Sequence, residues 1–405
     1  MLIPISWKNI WRNKVRSLVV IIAIALGITA GVFSTAFMKG MMDQRISSVI
    51  KTEISNIQIH QPGFRENPEI EEFMTDAISL TEKIKIIDHV KGASKRIVIQ
   101  SMVASSETAS GVKITGINPN DEKNVTNIHE KLVAGKYFEG VKRNPVVIGK
   151  KLAKKLNVKV RSKVVITLQD MDKNIIGGAF RVAGIYETAN STFDEANIYV
   201  RDSDLSRLAN LNPEVGHEIA VLVDDNKTTE MVADQIKKLA PGKEVLTWMQ
   251  ISPEMQYVTQ VMDMYMYIFI IIILLALLFG IINTMLMVVL ERIKEIGMLM
   301  AIGMNRLRIF GMIMLETILL TLTGGVVGVI IGTAISKYFE THIIDISIWA
   351  EGSTQLGYGT QVNTSLDTQM IITVTFMVFV TGVIAALYPA WKALRNDPAE
   401  ALRVE

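Results

Sequence analysis

ERIKEIGMLMAIGMNRLRI, Glu291–Ile309, is a charged island between two long apolar blocks, and its reading decides the fold. Ile293, Ile296, Gly297, Met300 and Ala301 follow i, i+3, i+4, i+7, i+8 spacing, the stripe of one helix face. Glu291, Arg292, Lys294 and Glu295 lie off that stripe. Gly303 is placed to end the helix and Asn305 to cap the next one. A short amphipathic helix in a loop needs a partner for its apolar face, which would otherwise stay in water.

Working outward, the blocks nearly free of charge are Ser17–Met38, Met264–Leu290, Ile309–Ile335 and Met370–Pro389. The first is roughly 33 Å long as a helix, enough for a hydrocarbon core of about 30 Å. It also exceeds the apolar region of a cleavable signal peptide, typically about 7–15 residues. Four transmembrane helices are therefore expected. Orientation follows the short basic flanks. Lys8, Arg12, Lys14 and Arg16 precede the first block, and Arg292, Lys294, Arg306 and Arg308 separate the second from the third. Lys392, Arg395 and Arg403 follow the fourth. The loop before the fourth has Lys337 against Glu340, Asp345, Glu351 and Asp367. Both termini and the Glu291–Arg308 loop are thus expected in the cytoplasm, with residues 39–256 outside.

The expected fold class is an α-helical membrane protein with four transmembrane helices (1+3) and a large α+β extracytoplasmic domain inserted between helices 1 and 2. The boundaries are 1–16 for a cytoplasmic amphipathic helix and 17–38 for the first span. The outer domain takes 39–256 and the second span 264–290. A cytoplasmic helix takes 291–308, the third span 309–335, an outer loop 336–369, the fourth span 370–390 and a tail 391–405. Trp7, Ile10, Trp11 and Lys14 recur at helical spacing, which suits a helix lying at the membrane surface. Within the outer domain, Ile54–His60, Val164–Gln169, Ala179–Tyr186, Ala196–Val200 and Glu218–Val223 read as strands. Leu80–Val90 and Thr228–Ala240 read as amphipathic helices. A soft division into two subdomains is placed around Gly135, Gly140 and Pro145.

Chemistry is sparse. The net charge of +2 gives no reason to expect a nucleic-acid partner, and the absence of cysteine excludes disulfides and thiol chemistry. His60, His89, His129, His217 and His342 stand apart in sequence, without zinc-ligand spacing, and no phosphate-binding G-x-x-x-x-G-K-[ST] loop occurs. No catalytic residue, metal or resident cofactor is expected. Glu316 lies about two turns into the third block and is a functional candidate by position; a packing contact to a neighbouring helix's Ser, Thr or backbone, or a protonated acid near the interface, is the simpler reading. Asn283 and Thr284 read as interhelical hydrogen-bond donors, and Gly324, Gly328 and Gly332 as a stripe for close helix approach. Phe37, Met38, Met41, Met264 and Tyr265 collect at the outer ends of the first two spans. They read either as lipid-facing or core packing with a Tyr interfacial belt, or as an adaptable lateral apolar groove.

These motifs together resemble the FtsX/MacB/Lol class of ABC-transporter permeases. Glu291–Ile309 is similar to that class's cytoplasmic segment after the second span. MLETILLTLTGGVVGVIIG (Met314–Gly332) is similar to its acid-then-Gly-Gly third span, and YPAWKALRNDPAEALR (Tyr388–Arg403) to its terminal segment. WKNIWRNKVRS (Trp7–Ser17) looks like its amphipathic N-terminal helix. FRVAGIYETANSTFDEANIYV (Phe180–Val200) and EVLTWMQISPEMQYV (Glu244–Val258) look like the lipoprotein-releasing branch. That branch often carries a proline-bearing hairpin that captures a carrier; DMDKNIIGGAF (Asp170–Phe180) has no proline.

The resemblance implies a non-catalytic subunit working with two ABC ATPase subunits, which bind the ATP and Mg, and with a second permease, identical or related. It implies a coupling helix at Glu291, Ile293, Glu295, Ile296, Gly297, Met300, Ala301 and Gly303. It also implies a lipid-anchored protein substrate held between the first two spans and expelled outward by mechanical transmission, with a periplasmic carrier or adaptor as a further partner. Two rivals stay open: MacB-type efflux of peptides or drugs with an adaptor and outer-membrane channel, and an FtsX-like transmitter that activates an outside enzyme.

Overall fold

The computed structural model describes residues 2–349 and 358–395. Glu351, Arg403 and the segment 396–405 of the terminal motif lie outside the described residues. The helices that carry the argument are α1 (Leu2–Arg12), α2 (Lys14–Ser48), α3 (Ala77–Lys85), α4 (Thr229–Leu239), α5 (Pro253–Glu291), α6 (Ile293–Ala301), α7 (Arg306–Thr341) and α8 (Thr368–Arg395). Four of them, α2, α5, α7 and α8, are long and apolar enough to cross a membrane, and each contains one of the expected apolar blocks. The chain forms two compact units.

The first unit is helical and takes residues from both ends of the chain. Its core is shared by the four long helices: Ile24 and Ile28 of α2, Ile270, Leu274 and Ile281 of α5, Leu320 of α7, and Val374 and Val378 of α8. The glycine stripe sets the approach of α7 to α2. A Cβ on Gly324 would come within 2.9 Å of Ile24, one on Gly328 within 2.7 Å of the Ala25 carbonyl, and one on Gly332 within 2.9 Å of Val32. Only hydrogen fits at those positions, so the backbones close to a distance that side chains forbid. Helix α1 breaks from α2 at Asn13 and lies against α7. Ser6 is buried and its hydroxyl donates to the Met312 carbonyl at 3.2 Å. The Ser17 hydroxyl donates back to the Ile10 carbonyl at 2.6 Å, bracing the turn. Trp7 and Trp11 face outward, edge to face.

The second unit is a ten-stranded sheet with helices. Its strands are β1 (Ile57–His60), β2 (Val90–Ala104), β3 (Ala109–Ile117), β4 (Leu132–Gly135), β5 (Pro145–Gly149), β6 (Lys163–Gln169), β7 (Ile175–Tyr186), β8 (Asn197–Arg201), β9 (Glu218–Val223) and β10 (Glu244–Thr247). The order is β10-β1-β9-β2-β3-β8-β5-β7-β4, and β6 pairs with both β2 and β7. The path β2-β3-β8-β5-β7-β6 therefore closes on itself. Strand β2 joins two lobes: Val90–Arg96 pairs with β9, and Arg96–Ala104 with β3. One core fills the closed path, with Ile97, Ile114, Val146, Ile166, Phe180 and Ile198. The other lies between β1, β9 and β10 and helices α3 and α4, with Ile57, Ile59, Ile84, Val221 and Ile236.

Two expectations are corrected. The division around Gly135–Pro145 falls inside the closed-path lobe, between β4 and β5; the lobes instead meet along β2, and the β9 lobe is discontinuous in sequence. The amphipathic helix expected at Leu80–Val90 spans Ala77–Lys85, because His89 adopts φ 69° and Val90 already opens β2.

Candidate functional site: the charged end of the helix bundle

Helix α5 is apolar through Leu290 and stops at Glu291. Arg292 is the single residue between α5 and α6, at φ −97° and ψ 12°. After Ala301 the chain reverses through Gly303, at φ 96°, where the Met304 N–H donates to the Leu299 carbonyl at 3.0 Å. A left-handed glycine closing a helix in this way is the expected C-terminal stop. The Asn305 side chain then accepts from the Leu307 N–H at 3.1 Å and starts α7. The sequence reading of both caps matches this geometry.

The apolar stripe of α6, apart from the exposed Ala301, is turned into its own chain. Ile296 is 5% exposed and packs with Val289, Ile309, Ile313, Ala390 and Ala393, and Gly297 beside it is buried. Met300 and Leu299 sit at the edge of that cluster, and Ile293 is half-buried. The partner that the stripe requires is thus α7 and α8. A different set is left outside: Met298 at 54%, Ile302 at 78% and Leu307 at 74% exposure, with Ala301 and the cations Lys294, Arg306 and Arg308 around them.

Four arginine–glutamate contacts surround α6. Glu316 is 4% exposed, and the Arg292 guanidinium donates to both its oxygens, at 2.9 and 3.1 Å. Arg292 also donates to Glu295 at 3.1 Å. Arg12 of α1 donates to both oxygens of Glu295, at 2.6 and 2.9 Å, and Arg16 of α2 pairs with Glu291. The hydrogen bond from Arg12 holds the Glu295 carboxyl below its ordinary range. A polar cavity of about 230 Å³ opens beside the buried pair, lined by Asn9, Asn13, Ser17, Arg16, Arg292 and Glu316. The partner of Glu316 is a cation, not the Ser, Thr or backbone group that the simpler reading named. Sequence reasoning counted Arg292 only as an orientation charge. The missed signal is physical: a carboxylate two turns inside an apolar helix needs a counter-ion, and Arg292 ends the preceding span.

Other sequence candidates fall elsewhere. The Thr284 hydroxyl donates to Gly280 of its own helix at 2.9 Å, and Asn283 is exposed; neither bridges helices as expected. Met264 and Tyr265 are exposed, whereas Phe37, Met38 and Met41 are half-buried, and Phe37 stacks on Phe33. An apolar crevice of about 230 Å³ lies instead between α5 and α8, lined by residues including Leu274, Leu275, Phe376 and Val380.

In the sheet unit, His60 and His217 both stack on Phe64, with ring centres at 5.6 and 5.2 Å from it. His217 Nδ1 accepts from the Val98 N–H and Nε2 meets the Ile70 carbonyl at 3.0 Å, so its ring is satisfied as a neutral core group. No cluster able to hold a metal occurs among the described residues. Where β2 passes between lobes, Arg96 is buried against Glu122 and Glu218, at 2.7 and 2.6 Å.

A charged, helix-capped loop joining apolar helices of membrane-spanning length, with a sheet unit on the same chain, is the architecture of a multi-pass membrane protein. Comparison with known proteins places it. Residues 17–239 match the MacB-like periplasmic core domain and residues 267–398 the FtsX-like permease C-terminal region. The chain belongs to the ABC-transporter permeases of the FtsX/MacB/Lol family, and is a multi-pass membrane protein with an extracellular domain. It is 25% identical over 328 residues to lipoprotein-releasing system transmembrane protein LolC of Xylella fastidiosa (strain 9a5c), covering 78% of each chain. It is 26% identical over 368 residues to the uncharacterized ABC transporter permease YknZ of Bacillus subtilis (strain 168), covering 84% of each. The crystal structure of the extracellular domain of a YknZ from Gram-positive bacteria aligns with 47% of this chain and 99% of its own, at 17% identity and a TM-score of 0.34.

Proposed function

We propose that this chain is the non-catalytic permease subunit of an ATP-driven transporter that extracts lipid-anchored proteins from the outer leaflet of the inner membrane. Two ATPase subunits bind ATP and Mg and dock on the loop between α5 and α7. The permease works as a pair, with a second copy or a related chain. Both termini lie in the cytoplasm and the sheet unit in the periplasm. The observation that carries the reading is the apolar face left uncovered on that loop. Met298, Ile302 and Leu307, with the stripe residue Ala301, stand out beside the exposed cations Lys294, Arg306 and Arg308, although the rest of the helix's own stripe is already covered. Exposed apolar side chains on a charged surface mark a protein contact. Ile296 and Gly297 then act as the helix's internal anchor rather than as docking residues. Relatedness to LolC supports the lipid-anchored substrate.

The test is purification of the tagged chain from native membranes and reconstitution in vesicles. An ABC ATPase should co-purify, and its hydrolysis should rise with a triacylated peptide but not with the same peptide unacylated. Stimulation by the unacylated peptide alone would replace this reading with efflux of soluble peptides. A complex that binds an extracytoplasmic hydrolase and transports neither form would replace it with signal transmission.

A further inference from the structure

Helix α6 is joined to its neighbours by backbone turns alone. The α5–α6 join is the single non-helical residue Arg292, and the α6–α7 join runs through Gly303, where an added Cβ would meet nothing within 4 Å. Backbone hydrogen bonds brace both turns, and side chains add a second set of constraints on the orientation of α6. Ile296 supplies apolar packing, which fixes distance better than angle. Arg292 supplies direction: its two hydrogen bonds to the Glu316 carboxylate reach nearly three turns into α7, counted from Arg306. Stability alone does not call for a buried ion pair, since apolar residues of the same volume serve as well or better. On the other side, Arg12–Glu295 and Arg16–Glu291 fasten α1 and the start of α2 to the same segment.

We propose that α1, α6 and the first turns of α7 move as one body, with Arg292 and Glu316 as the positioning residues that pin it together. The inference rests on the permease reading above and deepens it. A push on the exposed face of α6 reaches the third span through the buried pair, and the N-terminal helix is carried along through Arg12 and Arg16. The polar cavity beside the pair gives water access, which lets both groups stay charged while the body tilts.

The chain has no cysteine, so introduced pairs are unique. Spin labels at Lys8→Cys and Lys294→Cys report the α1–α6 distance in the reconstituted complex, before and after trapping with ATP and vanadate. The native background should give one narrow distance, equal in both states. Arg292→Ala should broaden it, and stimulation of hydrolysis by the triacylated peptide should fall about tenfold or more, the scale of a coupling free energy. The amount of co-purified ATPase should stay at the wild-type level. The swap Arg292→Glu with Glu316→Arg should restore the narrow distance and most of the stimulation. A narrow distance with full stimulation in Arg292→Ala overturns the proposal, as does a well-assembled swap variant with neither restored. If Arg292→Ala fails to fold, the swap decides alone. Failure of any ATPase to co-purify with the native chain overturns the permease reading instead, and the label distances still decide whether the pair orients α6.

Discussion

Glu316 and Arg292 are each tolerable only because of the other. A carboxylate or guanidinium alone at that depth would be an uncompensated charge among Met285, Met312 and Ile313. Removing one partner of a buried pair costs about 3–5 kcal/mol, whereas replacing both with apolar groups is often near neutral. Glu316→Leu should therefore lower the unfolding midpoint of the detergent-solubilised protein sharply, and Glu316→Leu with Arg292→Met should recover most of the loss. Equal stability of the single and double variants would remove the pair as a coupled unit. Protonation makes a second residue-scale case. Burial holds both His60 and His217 below the ordinary histidine range. Their folded-state pKa is lower than the unfolded value near about 6.5. The stability they contribute is thus fully present above that value and is lost as pH falls toward the folded one. Asp194 runs the other way: burial pushes it up to about 6, so its protonated form favours the folded state as pH drops. Comparing variants isolates the histidine part. Melting the whole protein at pH 7.5 and 5.5 should show a smaller acid loss for His217→Gln than for the native chain. An unchanged difference between the two pH values would mean that His217 does not titrate in that window.

Elements in this chain are decided by where their apolar faces go. The i, i+3, i+4 stripe of α6 correctly marks a helix, and Gly303 and Asn305 correctly mark its end and the next start. The pattern does not say which body covers the stripe, because α7 and α8 offer the same apolar chemistry as a partner protein. Ile296→Asp should consequently destabilise the helical unit itself, lowering yield and melting temperature by burying an unpaired charge. Ile302→Asp should leave melting unchanged and reduce the co-purified ATPase. The reverse pattern would return the docking role to Ile296. The four membrane-length helices were legible because long uncharged blocks have few other solutions, and β1, β6, β7, β8 and β9 because alternating or continuous apolar runs frame them. Strand β2 was not legible. Lys95 and Arg96 interrupt its apolar run, and each is buried only because distant groups satisfy it: Pro213 and Asp202 for Lys95, Glu122 and Glu218 for Arg96. The Arg292–Glu316 pair was hidden for the same reason. Its members are 24 residues apart, and only the hairpin of α5 and α7 brings them together. Local patterns report burial along one element, whereas a buried ion pair is a property of two.

For the whole molecule, the proposed lipid-anchored substrate would meet the bundle at one of two apolar surfaces of α5. Met264 and Tyr265 stand exposed toward one end of the helix, near in sequence to the start of its apolar block. Further along, Leu274, Leu275 and Leu278 form one wall of the crevice whose other wall is α8. An acyl chain gains about 0.8 kcal/mol for each CH₂ it buries, but bulk lipid already supplies that in a bilayer. Selective holding therefore needs a protein contact besides the chain, at the depth where a protein's lipid anchor meets its polypeptide. Phe37 and Met38 close the first apolar block and Met264 and Tyr265 open the second; the α5–α8 crevice is lined by apolar side chains apart from Thr381 and offers little for a polypeptide to bind. Photo-crosslinkers at Phe37, Met38 and Met264 should accordingly capture an acylated protein from native membranes, and should capture less of it once ATP is trapped. Crosslinkers at Leu275 and Phe376 should capture phospholipid in both states. Acylated protein at Leu275 and Phe376 instead would move the substrate path to the α5–α8 side. Phospholipid at every position, with a soluble peptide captured by the sheet unit, would remove the lipid-anchored substrate altogether.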